Sequence, residues 1–132
     1  MLTKLLGPIV ASSPGLKRAL WRRWYRFLAG GYPQAEWTFM NYGFAEREGP
    51  TPGLDLAAAD EPDRYSIQLY HRVAGGADLR GLDVLEVGSG RGGGSSCIAR
   101  YLQPRSVLGI DFSKEAVALS RKLHVLPRLR FE

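Results

Sequence analysis

Val84-Leu85-Glu86-Val87-Gly88-Ser89-Gly90-Arg91-Gly92-Gly93-Gly94 is the segment of this sequence whose residue types and spacing can do chemistry. Glycines that follow a β-type run let the backbone turn sharply and come close to a ligand. Asp111 lies 21 residues beyond Gly90, where the next apolar run ends. An acid at that place can accept hydrogen bonds from both hydroxyls of a ribose, which anchors nucleotide-type cofactors. Glu86 is the unusual member. A carboxylate inside an otherwise apolar run is costly unless it has a partner.

Two kinds of cofactor fit this spacing. Gly88-x-Gly90-x-x-Gly93 satisfies the dinucleotide pattern, which by itself has little specificity. The same residues also read Glu86-x-Gly88-x-Gly90-x-Gly92, the first motif of methyltransferases that use S-adenosylmethionine (SAM). Glu86 favours the second reading, because a carboxylate suits a cationic sulfonium and repels a pyrophosphate. The expected cofactor contacts are therefore Glu86, Gly88, Ser89, Gly90, Gly92 and Asp111. Gly93 and Gly94 serve helix packing equally well, and solvent exposure is the plain reading for the side chains of Ser89 and Arg91. No Gly-Lys-Ser/Thr follows, so a Walker-type phosphate loop is excluded.

The elements that must hold these residues follow from local pattern. Asp60-Glu61-Pro62-Asp63 starts a helix, with acids and a proline in the first turn, and Gly75-Gly76 ends it near Ala74. Asp83–Val87 is a strand, Ser95–Leu102 a helix, and Ser106–Ile110 a second strand. Ser113 caps a helix reaching about Leu123, and Leu129-Arg130-Phe131 opens a third strand. The alternation β-α-β-α-β predicts an α/β fold with a parallel sheet. Upstream, residues 14–28 read as a helix in which Leu16, Leu20, Trp24, Phe27 and Leu28 share an arc opposite Arg18, Arg22 and Arg26. Residues 29–62 are rich in Gly, Pro and aromatics, hence mostly loop with one short helix near Gln34–Phe39. Composition thus divides the chain into a helical and loop arm, 1–62, and an incomplete cofactor domain, 63–132.

Composition bounds the rest. The 132 residues are 45% hydrophobic and 23% charged, ordinary for one globular domain. A single cysteine excludes a disulfide scaffold and a multi-cysteine zinc site; no metal is expected. No apolar run is long enough to span a bilayer. Met1–Ser13 has some signal-peptide character, but Gly7 and Pro8 interrupt it and a cytoplasmic location is expected. Residues 1–40 carry six Lys/Arg and one acid, whereas residues 41–132 carry twelve of each. A basic arm beside a neutral domain argues against nucleic-acid binding spread over the surface. Residues 16–28 fit peripheral membrane contact, with a lid over the cofactor cleft as the plainer reading.

Four strings carry a more specific resemblance. Asp60-Glu61-Pro62-Asp63-Arg64, Leu69-Tyr70-His71-Arg72, the glycine loop, and His124-Val125-Leu126-Pro127-Arg128-Leu129-Arg130-Phe131 together resemble the phthiotriol/phenolphthiotriol dimycocerosates methyltransferases of mycobacteria. Trp37-Thr38-Phe39-Met40-Asn41-Tyr42-Gly43-Phe44 is similar to an N-terminal segment of that family. The resemblance implies the N-terminal part of a class I, Rossmann-like SAM-methyltransferase fold. It also implies O-methylation of a hydroxyl on a polyketide-derived envelope lipid. Family members are much longer and continue into an acidic segment that contacts adenine, so this sequence is expected to be a truncated portion, inactive alone. No catalytic base is identified. An NAD(P)-dependent oxidoreductase fragment and a non-catalytic remnant remain as alternatives. Tyr42 is read as packing or closing over a sulfonium, Tyr70 and His71 as core or surface residues, His124 as a helix-end cation, and Cys97 as buried packing.

Overall fold

A computed structural model describes residues 13–31, 38–47 and 54–132. The chain divides into two compact units, Met1–Gln34 and Ala35–Glu132. The compositional change near residue 62 falls inside the second unit. The reason is apolar: Leu54 and Leu56 are buried with Ile67 and Cys97 in one cluster, flanked by Phe39, Tyr70 and Tyr101.

In the first unit α1 spans Pro14–Gly31, three residues past the expected end. Most of the signal-like stretch, and most of the short helix expected at Gln34–Phe39, lie outside the described residues; Thr38–Met40 are not helical. The second unit begins its regular structure with a 3-10 turn, Ala58–Asp63, that continues as α2, Arg64–Ala74. The expected single helix therefore has a tighter first stretch, and Pro62 sits there. Asp60 pins this turn to the next helix, accepting hydrogen bonds from Arg100 and the Tyr101 hydroxyl. Gly75 closes α2 through its N–H on His71 O at 2.8 Å.

The remaining elements are β1 (Asp83–Val87), α3 (Gly93–Tyr101), β2 (Ser106–Ile110), α4 (Lys114–Leu123) and β3 (Leu129–Phe131). All three strands match their expected bounds, and α3 starts two residues early. Ser113 caps α4 as expected, its hydroxyl accepting the Ala116 N–H at 3.2 Å. The strands form one parallel sheet in the order β1-β2-β3. This is the Rossmann-like β-α-β-α-β arrangement that the sequence alternation implies.

Register decides which residues share a face. Val84, Val107 and Leu129 align across the sheet, as do Glu86, Gly109 and Phe131. This face is covered: Ile98 and Ala99 of α3 and Val117 of α4 pack with Val107, Leu129 and Phe131 in one core. Leu85, Leu108 and Arg130 align on the opposite face, beside Val87 and Ile110. There Leu85 is 58% and Val87 75% exposed.

Candidate cofactor site

The glycine loop joins the C-terminal end of β1 to α3, and its conformation is fixed by hydrogen bonds to the end of β2. The N–H groups of Gly88 and Ser89 both donate to Ile110 O, at 2.8 and 3.0 Å. Gly90 N–H donates to Asp111 Oδ2 at 2.8 Å, and Ser113 N–H to Asp111 Oδ1 at 2.9 Å. Gly92 N–H returns to Ser89 O at 2.9 Å. Gly88, Gly90 and Gly92 have φ of 81°, 53° and 84°, a region that side chains with a Cβ rarely adopt.

These three glycines do different work. A Cβ on Gly88 or Gly90 would meet open space, so their backbone is bare to a ligand. A Cβ on Gly92 would lie 2.7 Å from Phe131 Cζ and 2.8 Å from both His124 Cδ2 and Ser120 Cβ. Gly92 faces protein, and its role here is close packing. Gly93 abuts the Thr38 carbonyl and Phe39, and Gly94 abuts Tyr70 and Glu86. Helix α3 therefore opens on glycine because three separate segments press against its first turn.

Glu86 lies on the covered face of β1. The Ser95 hydroxyl donates to its Oε2, and the Tyr70 hydroxyl also hydrogen-bonds to it. Burial pushes the Glu86 carboxyl above its ordinary range, partly offset by those two hydroxyls. Burial, with the Glu86 charge beside it, pushes the Tyr70 phenol up to about 12. The partner required by a carboxylate in an apolar strand is thus found within the protein. Ser95 is the residue that sequence reasoning missed. The signal was present, since it lies nine residues on, within the first turn of the helix that follows the loop.

The loop corrects two further expectations. Ser89 and Arg91 are 6% and 5% exposed, not solvated, and the Ser89 hydroxyl has no hydrogen-bond partner among the described residues. His124 stands at the end of α4, as expected, but burial lowers its pKa from the ordinary imidazole value and so works against the expected cation. Its Nε2 lies 3.1 Å from Arg91 O, tying α4 to the loop. Tyr42 is fully exposed and packs against none of the described residues. Cys97 is fully buried, and burial pushes its thiol up to about 12. Among the described residues no cluster of His, Cys, Asp and Glu could hold a metal ion.

Chemically, the structure brings Gly88, Ser89, Gly90 and Asp111 together at the C-terminal ends of β1 and β2. Ligands of parallel α/β sheets bind at that end. The N–H groups of Gly88, Ser89, Gly90 and Gly92 are all engaged inside the protein. They are not aimed outward as a nest for phosphate.

No family model matches this chain. It is 41% identical over 121 residues to the phthiotriol/phenolphthiotriol dimycocerosates methyltransferase of Mycobacterium tuberculosis, covering 92% of this chain and 44% of that protein. The corresponding protein of Mycobacterium leprae is 38% identical over the same length. A fatty-acid O-methyltransferase of Mycolicibacterium smegmatis is 40% identical over 107 residues, 81% of this chain and 38% of that one. The chain is thus similar to proteins named as methyltransferases. It spans less than half the length of the curated relatives it matches. This likeness supports the methyltransferase reading over the oxidoreductase one. Among solved structures, the YcgJ protein of Bacillus subtilis aligns with a TM-score of 0.43 and 22% identity, over 49% of this chain and 29% of that one.

Proposed function

We propose that residues 83–132 bind S-adenosylmethionine and form the cofactor side of an O-methyltransferase. The observation that carries this reading is the pair of acids, Glu86 and Asp111, held on either side of the glycine loop. The carboxylates of Glu86 and Asp111 flank the loop, a setting that repels an anionic cofactor and suits a cationic one.

The residues present fit such a group. Gly88 and Gly90 offer bare backbone, and Asp111 retains acceptor capacity on both carboxylate oxygens, enough for ribose hydroxyls. When bound, the cofactor supplies a methyl group on a positively charged sulfonium, already an excellent leaving group. What this chain contributes is placement: Asp111 locks the loop through Gly90, and Glu86, braced by Ser95 and Tyr70, holds β1 against α3. Orientation of this kind supplies a large share of rate in transfer reactions. The acceptor we propose is an oxygen of a lipid or polyketide-derived molecule, by analogy with what the relatives' names state. The proposed setting is cytoplasmic, where the methyl donor is available.

The test is ligand-observed saturation-transfer NMR with the 132-residue chain, which detects contacts too weak for calorimetry. Transfer to SAM is expected, with none to NAD. Asp111→Ala and Gly88→Val should each abolish it, and Glu86→Val should weaken it. Transfer to NAD at equal or greater strength, or SAM contact indifferent to Asp111 and Gly88, would overturn the reading.

A further inference from the structure

Helix α1 carries none of the chemistry described above, yet its surface is strongly patterned. It holds no acidic residue, while Lys17, Arg18, Arg22 and Arg23 are all exposed and the sequence adds Arg26. At 100° per residue, Leu16, Leu20, Trp24 and Phe27 fall within one arc of about 80°. Trp21 extends that arc on one side. Arg18 and Arg22 lie diametrically across from it. The apolar arc is open: Leu16 is 41%, Leu20 46% and Trp24 53% exposed, with Trp24 stacked on Phe27 at 6.1 Å between ring centres.

We propose that α1 is an interfacial helix that binds an anionic lipid surface, lying in the plane of the bilayer with Leu16, Leu20, Trp24 and Phe27 among the acyl chains. Charge complementarity selects this occupant. A helix with five bases and no acid repels basic partners and gains from each anionic headgroup it approaches. The aromatic content points the same way, since indole rings favour the headgroup boundary. Lys17 and Arg23 lie about 20° beyond the two ends of that arc, and their long stems let the charged ends rise to the headgroups while the methylenes stay in apolar surroundings. Among the described residues no helix is long and apolar enough to cross a membrane, so the contact is peripheral. This inference does not depend on the methyl-donor reading.

The experiment is vesicle flotation of the whole chain, with phosphatidylcholine vesicles compared with vesicles in which a third of the lipid is phosphatidylglycerol. Flotation is used because self-associated protein sinks and cannot mimic binding. The chain should float only with the anionic vesicles, and about 0.5 M salt should release it. The triple change Arg18→Gln, Arg22→Gln, Arg23→Gln should weaken binding by about tenfold or more. Leu20→Gln with Trp24→Gln should do the same, whereas Val87→Lys on the sheet should leave it unchanged. A second readout needs no change in α1: in a Trp37→Phe background, anionic vesicles should shift the emission of Trp21 and Trp24 to the blue. Equal flotation with both vesicle types, flotation with neither, indifference to the arginine changes, or loss caused by Val87→Lys would each overturn the proposal. None of these readouts involves SAM, so this proposal and the methyltransferase reading fail separately.

Discussion

The two faces of one three-stranded sheet differ in what the sequence has built against them. On the covered face every large residue meets a helix: Val107 and Phe131 are 1% and 3% exposed, and Ile98, Ala99 and Val117 lie over them. On the other face Leu85 and Val87, as apolar as their neighbours, are more than half exposed. Parallel strands are ordinarily buried on both sides. The comparison separates what closes the glycine loop from what merely continues the strand. Gly92, Gly94, His124, Tyr70 and Ser95 all connect to the covered face, so stability and loop geometry are coupled there.

The largest contrast should come from changing one side chain on each face. Phe131→Ala removes a ring that fills the space over Gly92 and Gly109, and should cost about 3–5 kcal/mol. That is a large share of a small domain's total stability. Val87→Thr on the open face should change stability by less than about 0.5 kcal/mol. Urea denaturation followed by circular dichroism reads both. Equal losses would mean that the open face is covered in solution.

Gly94→Ala tests the covered face by overfilling it. A Cβ there would collide with the Tyr70 ring and come within 2.7 Å of Glu86 Oε1. Its expected cost is about 1–3 kcal/mol. Gly88→Ala adds the same methyl into open space, with only the left-handed φ opposing it, about 1–2 kcal/mol. Gly94→Ala should therefore lower the melting temperature at least as far as Gly88→Ala, while Gly88→Ala should be the more damaging to ligand contact.

How far these differences could be read in advance depends on the range of the interaction. Strand bounds, the Ser113 cap and the stop at Gly75 were legible because each rests on residues a few positions apart. The closeness of Asp111 to the Gly88–Gly90 backbone was legible because a strand-loop-helix unit fixes their relation. The separate tasks of Gly92, Gly93 and Gly94 were not, since they depend on Phe131, Thr38 and Tyr70, brought in from distant sequence. His124 illustrates the same limit: adjacency to a helix end suggests a cation, but burial beside Phe131 lowers its pKa, against the opposing pull of the Arg91 carbonyl.

A smaller effect concerns association. The open face and the outer edge of β1, which no described strand pairs, offer apolar surface and free backbone groups. The chain should self-associate, and Leu85→Lys with Val87→Lys should reduce this while changing stability by less than about 0.5 kcal/mol. Sedimentation velocity across a concentration series measures it. A strict monomer at all concentrations before the change would show that the open face carries no such tendency.

The smallest expected effect is a pH dependence with two opposing signs, both from the covered side. His124 has a folded pKa below its ordinary 6.5, because burial disfavours the cation. Its contribution is complete above pH 6.5 and is lost as pH falls toward the folded value, since the unfolded chain takes up the proton first. Glu86 has a folded pKa above its ordinary 4.5, again through burial. The folded form holds the proton longer, so its contribution is present below pH 4.5 and declines as pH rises through the folded value. Within the interval between the two ordinary values the slopes oppose each other, so the native chain should show a shallower profile than a chain keeping one of the groups alone. Glu86→Gln leaves His124 alone and should make the melting temperature rise with pH across that interval. His124→Gln leaves Glu86 and should make it fall. Each slope should amount to a few degrees at most, read by thermal melts in matched buffers. Slopes of the same sign in the two variants would mean that one of these groups is not held by burial against the covered face.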